Sequence, residues 1–167
     1  QMFQGFFIPG LVSFLVAHLF YVALFKSGQA WFPHRGALAA TLGIGTAMYA
    51  FLWTSGLPPA LRAPVAAYVL VIALMAAQAI GRATVLRDAA SLCVAIGAGF
   101  FMLSDSLLAT NRFVTPLPMA QVWVLATYYA AQALIVAGML RGTARAEPSS
   151  ATPLTPQTDL ARSPSAA

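Results

Sequence analysis

Charge is what this chain has least of. Asp, Glu, Lys and Arg together make up 8% of its 167 residues, against 60% hydrophobic ones, whereas a soluble domain carries about 25% charged residues. That shortage excludes an ordinary soluble domain and points to an integral membrane protein. The alternation typical of barrel strands is absent, which leaves helices. There is a single cysteine, Cys93, inside an apolar run. One thiol forms no disulfide within the chain and no metal site, so Cys93 reads as a small packing residue. There is no GxSxG elbow, HExxH pair, Walker loop or Cys/His metal spacing. Any acid–base chemistry therefore rests on carboxylate, imidazole and phenol groups, and no metal or cofactor is implied. The net charge of +5 is spread over short gaps between apolar runs. It reads as membrane topology and contact with anionic lipid, not as nucleic-acid binding.

What the chain does have is apolar length. A crossing needs about 20 residues, and five runs approach or reach that: Gly5–Phe25, Gly36–Trp53, Pro64–Ile80, Ala89–Ala109 and Met119–Leu140. The expectation is an all-α, polytopic transmembrane helical bundle over residues 1–141. Pro33, Pro58, Pro59, Pro116 and Pro118 fall in the gaps, where they mark helix boundaries. Pro9 is tolerable in a first turn. Residues 142–167 change character to Ser, Thr, Pro and Ala. That segment buries too little apolar surface to offset its ordering entropy and is expected to be disordered. The chain begins at Gln1, with an apolar run and no basic stretch ahead of it. This does not resemble a signal peptide and leads us to expect a fragment whose upstream part is missing. Lys26, Arg35, Arg82, Arg87, Arg141 and Arg145 lie on one side of the bundle, against Arg62 and Arg112 on the other. This places the C-terminus in the cytoplasm.

Asp105 is the only charged residue in the run Ala89–Ala109. A carboxylate at membrane depth costs several kcal/mol unless it finds a partner, water or a proton, so it reads first as functional. Its bland alternative is an interfacial cap, since the run ends about one turn later. Other polar residues form helical stripes: His18 with Tyr21, Tyr68 with Met75, Gln78 and Arg82, and Gln121 with Tyr128 and Gln132. Tyr21 and Tyr49 have a bland reading as interface anchors, and His18 as a packing histidine. By rise per residue His18 falls nearer the cytoplasmic end and Asp105 nearer the outer end, which weakens the case for a shared site. Gly97, Ala98 and Gly99 would let a neighbouring helix approach closely.

The segment GAGFFMLSDSLLATNRF (Gly97–Phe113) resembles the G-x-x-x-F-x-x-S-D-x-x-L-A signature of the YhhN/TMEM86 membrane family. Three further segments agree in order: Gly10–Phe25 with its Ala17-His18-x-x-Tyr21 motif, Tyr68–Ile80, and Tyr128–Gly138. The resemblance covers nearly all of the chain before the tail. It implies a helical bundle of about eight helices in the family, of which this chain has five. The family's Gly-Asp motif, upstream of the Ala-His-x-x-Tyr helix, has no counterpart here. Eukaryotic members are lysoplasmalogenases, which hydrolyse the vinyl-ether bond of a lysoplasmalogen to a fatty aldehyde and a glycerophospho-alcohol.

The resemblance therefore implies a membrane-embedded hydrolase working by carboxylate acid–base catalysis on a lysophospholipid within the bilayer. Asp105 would be catalytic. Ser104, Tyr128 and Gln132 would orient water or Asp105, and His18 and Tyr21 would assist or bind the head group. The chemistry asks for a general acid, a negative charge near the oxocarbenium ion and a positioned water. The expected location is a bacterial-type inner (plasma) membrane. The alternatives are a small transporter or lipid-binding protein with Asp105 as a proton or cation site, and a packing fragment without activity.

Overall fold

A computed structural model describes residues 7–26 and 28–146. Five helices follow one another: α1 (Phe7–Lys26), α2 (Arg35–Thr54), α3 (Pro59–Leu86), α4 (Ala89–Phe113) and α5 (Ala120–Ala146), and no strand occurs among the described residues. Four of them, α2 to α5, are long and apolar enough to cross a membrane. In α1 the stretch Val12–Lys26 is apolar, and the expected run Gly5–Phe25 begins outside the described residues. Large apolar side chains on the outer faces, such as Phe20, Trp123 and Leu140, are exposed as lipid-facing residues would be.

The helices outrun the apolar runs that announce them. α3 takes in Ala60–Ala63 ahead of its run and Gly81–Leu86 behind it. Pro59 sits at its N-terminus, where a missing N–H costs nothing. Pro64 lies inside the helix rather than at its boundary and forfeits one hydrogen bond. At the other end Gly81 lets the α1–α2 loop approach, because a Cβ there would meet Pro33 Cδ at 2.9 Å. Arg87 then closes α3 in the left-handed conformation, at φ 51°. α4 continues past Ala109 to Phe113, and its start is capped by Asp88, which accepts from Ser91 N at 2.7 Å. His34, expected as a solvated loop residue, is exposed and caps α2, accepting from Ala37 N at 2.9 Å. α5 runs to Ala146, past residue 141 where its apolar character ends. The rest of the expected tail, 147–167, lies outside the described residues.

α3 is the centre. α1, α2 and α4 all pack on it, and α5 packs on α4. Among the described residues, α1 and α2 make no close approach to each other. The α4–α5 pair is the closest in the bundle. A Cβ on Gly97 would lie 2.9 Å from Ala131 O, and one on Gly138 would lie 2.6 Å from Ala90 O. Small residues of this kind let backbones meet where lipid supplies no hydrophobic drive. Gly97 and fully buried Ala98 serve the approach, whereas Gly99 faces outward with nothing near it. Gln78, fully buried, ties the α1–α2 loop to α3: Phe32 N donates to its Oε1 at 2.8 Å and its Nε2 donates to Ala30 O at 3.1 Å.

Candidate functional site: a carboxylate in an apolar cavity

Because α4 ends at Phe113, Asp105 lies eight residues, about 12 Å, from its C-terminus. It is not an interfacial cap. It is half-buried and lines a cavity of about 320 Å³ enclosed by α1, α2, α3 and α4. The walls are apolar, from Phe14, Ile44, Met48, Leu52, Ile72 and Met102 among others. The polar side chains on it are Asp105, Tyr68, Ser106 and Arg112. Tyr68 OH donates to Asp105 Oδ2 at 3.2 Å, joining α3 to α4. Ser106 turns its hydroxyl back to Met102 O at 2.8 Å on its own helix.

The other residues singled out by the sequence divide into two groups. His18 stands behind Tyr68, fully buried among aromatic rings: Phe101 at 4.5 Å, Tyr68 at 5.6 Å and Tyr21 at 6.2 Å between centroids. Its Nδ1 pairs with the Phe14 carbonyl, which can only accept, so Nδ1 carries the proton. Nε2 is then a bare acceptor, buried and without a hydrogen-bond partner. The apparent offset from Asp105 closes. His18 is 11 residues from the start of α1 and Asp105 is 8 from the end of α4, about 16 and 12 Å from ends that face the same way. His18 packs on Phe101, one turn before Asp105.

The second group faces α5, away from the cavity. Tyr21 OH donates to Gln132 Oε1 at 2.8 Å, so Tyr21 is a bundle-interior residue and not an interface anchor. Tyr128 packs edge-on against Phe14 and Phe101. Ser104 is buried and donates to Val124 O at 3.0 Å on α5. It does not reach Asp105. One helical step, about 100°, separates the two side chains and sends them to different neighbours. Tyr49, by contrast, sits near a helix end, its OH donating to Arg62 O at 3.1 Å, with Arg62 4.0 Å over the Trp53 ring.

Tyr68, Ser106 and Arg112 are the polar cavity residues that the sequence analysis did not assign to the site. Tyr68 lay on a recognised stripe, and Arg112 lies seven residues beyond Asp105, on the same face of α4. Neither signal says which helix stands opposite. Among the described residues no three His, Cys, Asp or Glu side chains gather as a metal would require. Chemically, the cavity offers one carboxyl group oriented by a phenol, in surroundings that otherwise suit an alkyl chain.

The chain is similar to known proteins. The human lysoplasmalogenase TMEM86B is 34% identical over 135 residues, covering 81% of this chain and 54% of the human protein. The human lysoplasmalogenase TMEM86A is 33% identical over 138 residues, covering 79% and 55%. A lysoplasmalogenase of Mycobacterium bovis is 30% identical over 140 residues, covering 81% and 52%. The chain thus spans about half the length of these relatives. No solved structure matches. A family model described as the YhhN family matches residues 2–139, from ahead of α1 into α5 and through every residue of the cavity. The chain belongs to the YhhN family.

Proposed function

We propose that the cavity is the site of a lysoplasmalogenase, hydrolysing the vinyl-ether bond of a lysophospholipid from within the bilayer. The observation that carries this reading is the hydrogen-bonded Asp105–Tyr68 pair in the wall of an apolar cavity, in a chain similar to proteins that bear that name. Hydrolysis begins when a proton is added to the β-carbon of the vinyl ether, giving an oxocarbenium ion. Water adds to that ion and loses a proton. The resulting hemiacetal breaks into a fatty aldehyde and the glycerophospho-alcohol, so one water is consumed and the proton is returned. Asp105 supplies an acid–base carboxyl group for these proton transfers, and the Tyr68 hydroxyl holds it in orientation. The apolar walls receive the hydrocarbon chain and keep bulk water from the cation. His18 supports the Tyr68 ring from behind. Ser104, Tyr21, Tyr128 and Gln132 hold α4 and α1 against α5. The excess of Lys and Arg orients the C-terminus to the cytoplasm and the cavity mouth to the opposite face of a plasma membrane.

The test is aldehyde release from a lysoplasmalogen by the purified protein in nanodiscs, with Asp105→Asn beside the wild type. General acid–base catalysis contributes about 10²–10⁴-fold, and a loss of that size is expected in Asp105→Asn. Equal turnover by the variant sinks the reading.

A further inference from the structure

Among the described residues, Arg112 is the one cation on the cavity wall and Asp105 the one anion. Both belong to α4, two turns apart on one face, with an axial offset of about 10.5 Å. Between them the wall is Leu108 and Ala109. Beyond Asp105 it continues to Met102 on α4 and Ile72 on α3, toward the middle of the bundle. Along the α4 wall the order is thus Arg112 near the end of the helix, Asp105 two turns in and Met102 deeper, with apolar lining throughout. We infer that Arg112 binds the phosphate of a single-chain lipid whose ether bond lies at Asp105 and whose chain runs toward the bundle centre. The inference rests on the proposed hydrolase reading and names what sets its substrate class.

The dimensions suit this ligand. In an extended lysoglycerophospholipid the carbon that takes the proton and the phosphorus lie about 8 Å apart, at about 1.2 Å per bond. That fits within the axial offset of about 10.5 Å between the two residues along α4. A guanidinium offers paired donors to phosphate oxygens, a geometry that lysine lacks. The order of groups also matches a lipid standing in the adjacent leaflet, with its phosphate at the surface and its chain inward, so it binds without turning over. At about 320 Å³ the cavity lies at the small end of ligand sites, which favours one chain over two. α1 and α2 both line it and, among the described residues, make no close backbone approach to each other, so the rest of a long chain would pass between them to the bilayer.

The test uses the full chain in phosphatidylcholine nanodiscs with two saturated, uncleavable probes. One is a 1-O-alkyl lysoglycerophospholipid and the other is the matching 1-O-alkylglycerol, which lacks phosphate. Wild type is expected to bind the phosphorylated probe at least tenfold more tightly. Arg112→Gln is expected to bring the two within twofold by weakening only the phosphorylated one. Unchanged affinity for the alkylglycerol shows that the variant is folded, and Arg112→Lys should retain part of the preference. Millimolar inorganic phosphate should not displace the lipid probe. Displacement would mean that a free phosphate is the ligand, and overturns the inference. Equal affinities in wild type, or a preference that survives Arg112→Gln, also overturn it and assign Arg112 to the surrounding lipid head groups. With the vinyl-ether counterparts, Arg112→Gln should raise KM for the phosphorylated substrate while kcat is kept. Aldehyde release without a phosphate preference removes the Arg112 assignment alone. A phosphate preference lost in Arg112→Gln, without aldehyde release, supports the assignment and removes the hydrolase reading.

Discussion

A single hydrogen bond fixes the side chain on which the proposed chemistry turns. Asp105 accepts from Tyr68, and the Tyr68 ring is held from behind by His18, itself packed on Phe101. Tyr68→Phe keeps the ring and deletes the donor. A hydrogen bond to a charged group is worth about 1.5–3 kcal/mol, so kcat for aldehyde release should fall about 10- to 100-fold. The thermal midpoint of the detergent-solubilised protein should move little, because the ring contacts remain. A variant that keeps full kcat would show that Asp105 needs no partner. Asp105 itself was legible from sequence, since a lone charge in an apolar run is costly wherever that run lies in lipid. Its partner was not. The stripe of Tyr68, Met75, Gln78 and Arg82 marks an inward face, but the crossing of α3 and α4 decides which residue meets which. Within that one stripe Tyr68 reaches a carboxylate while Gln78 ties down a loop. Tyr21 likewise reads as an anchor by its position, and only the place of α5 reveals Gln132 opposite it.

At the scale of elements, the α4–α5 pair sets how firmly the α4 wall of the cavity is held. Its contact depends on glycines that admit both backbone and side-chain atoms of the neighbouring helix, at Gly97 and Gly138. Overpacking a close contact costs about 1–3 kcal/mol. Gly138→Ala should cost that much, because the new methyl would meet the Ala90 carbonyl at 2.6 Å and the Val94 backbone at 3.1 Å, as well as Val94 Cγ2 at 2.7 Å, and backbone yields little. Thermal unfolding in detergent, followed by loss of monodisperse protein, checks it. A midpoint equal to wild type would mean that α4 and α5 slide apart freely. The close-approach role of Gly97 and Ala98 could be read from their smallness, but that of Gly138 could not, because a lone glycine near a helix end is common. Helix limits were the least legible feature. Hydropathy ends where lipid contact ends, whereas the helices go on as long as their backbone groups find partners. Pro64, the first residue of its apolar run, and Arg82, two residues past the end of that run, are both inside α3 for that reason.

For the whole molecule, the charges on the connecting segments are the basis of the proposed direction across the membrane. With Cys93 replaced by serine to give a cysteine-free background, a cysteine can be placed between α4 and α5 as Thr115→Cys, or near the end of α5 as Thr143→Cys. An impermeant maleimide on intact cells should label Thr115→Cys, and should label Thr143→Cys only after permeabilisation. The reverse pattern would invert the bundle and put the cavity mouth in the cytoplasm. The number and order of helices were legible because each carries its own apolar run. The arrangement was not, because α1 and α2 are neighbours in sequence yet, among the described residues, each packs on α3 and makes no close approach to the other. That separation has a consequence for how the protein meets its ligand. A slot open along the side of a bundle exchanges hydrocarbon with the surrounding sheet of lipid, not with water. Encounter is then a two-dimensional search, and the concentration that governs occupancy is the mole fraction of ligand among the membrane lipids, whatever its molarity in the aqueous phase.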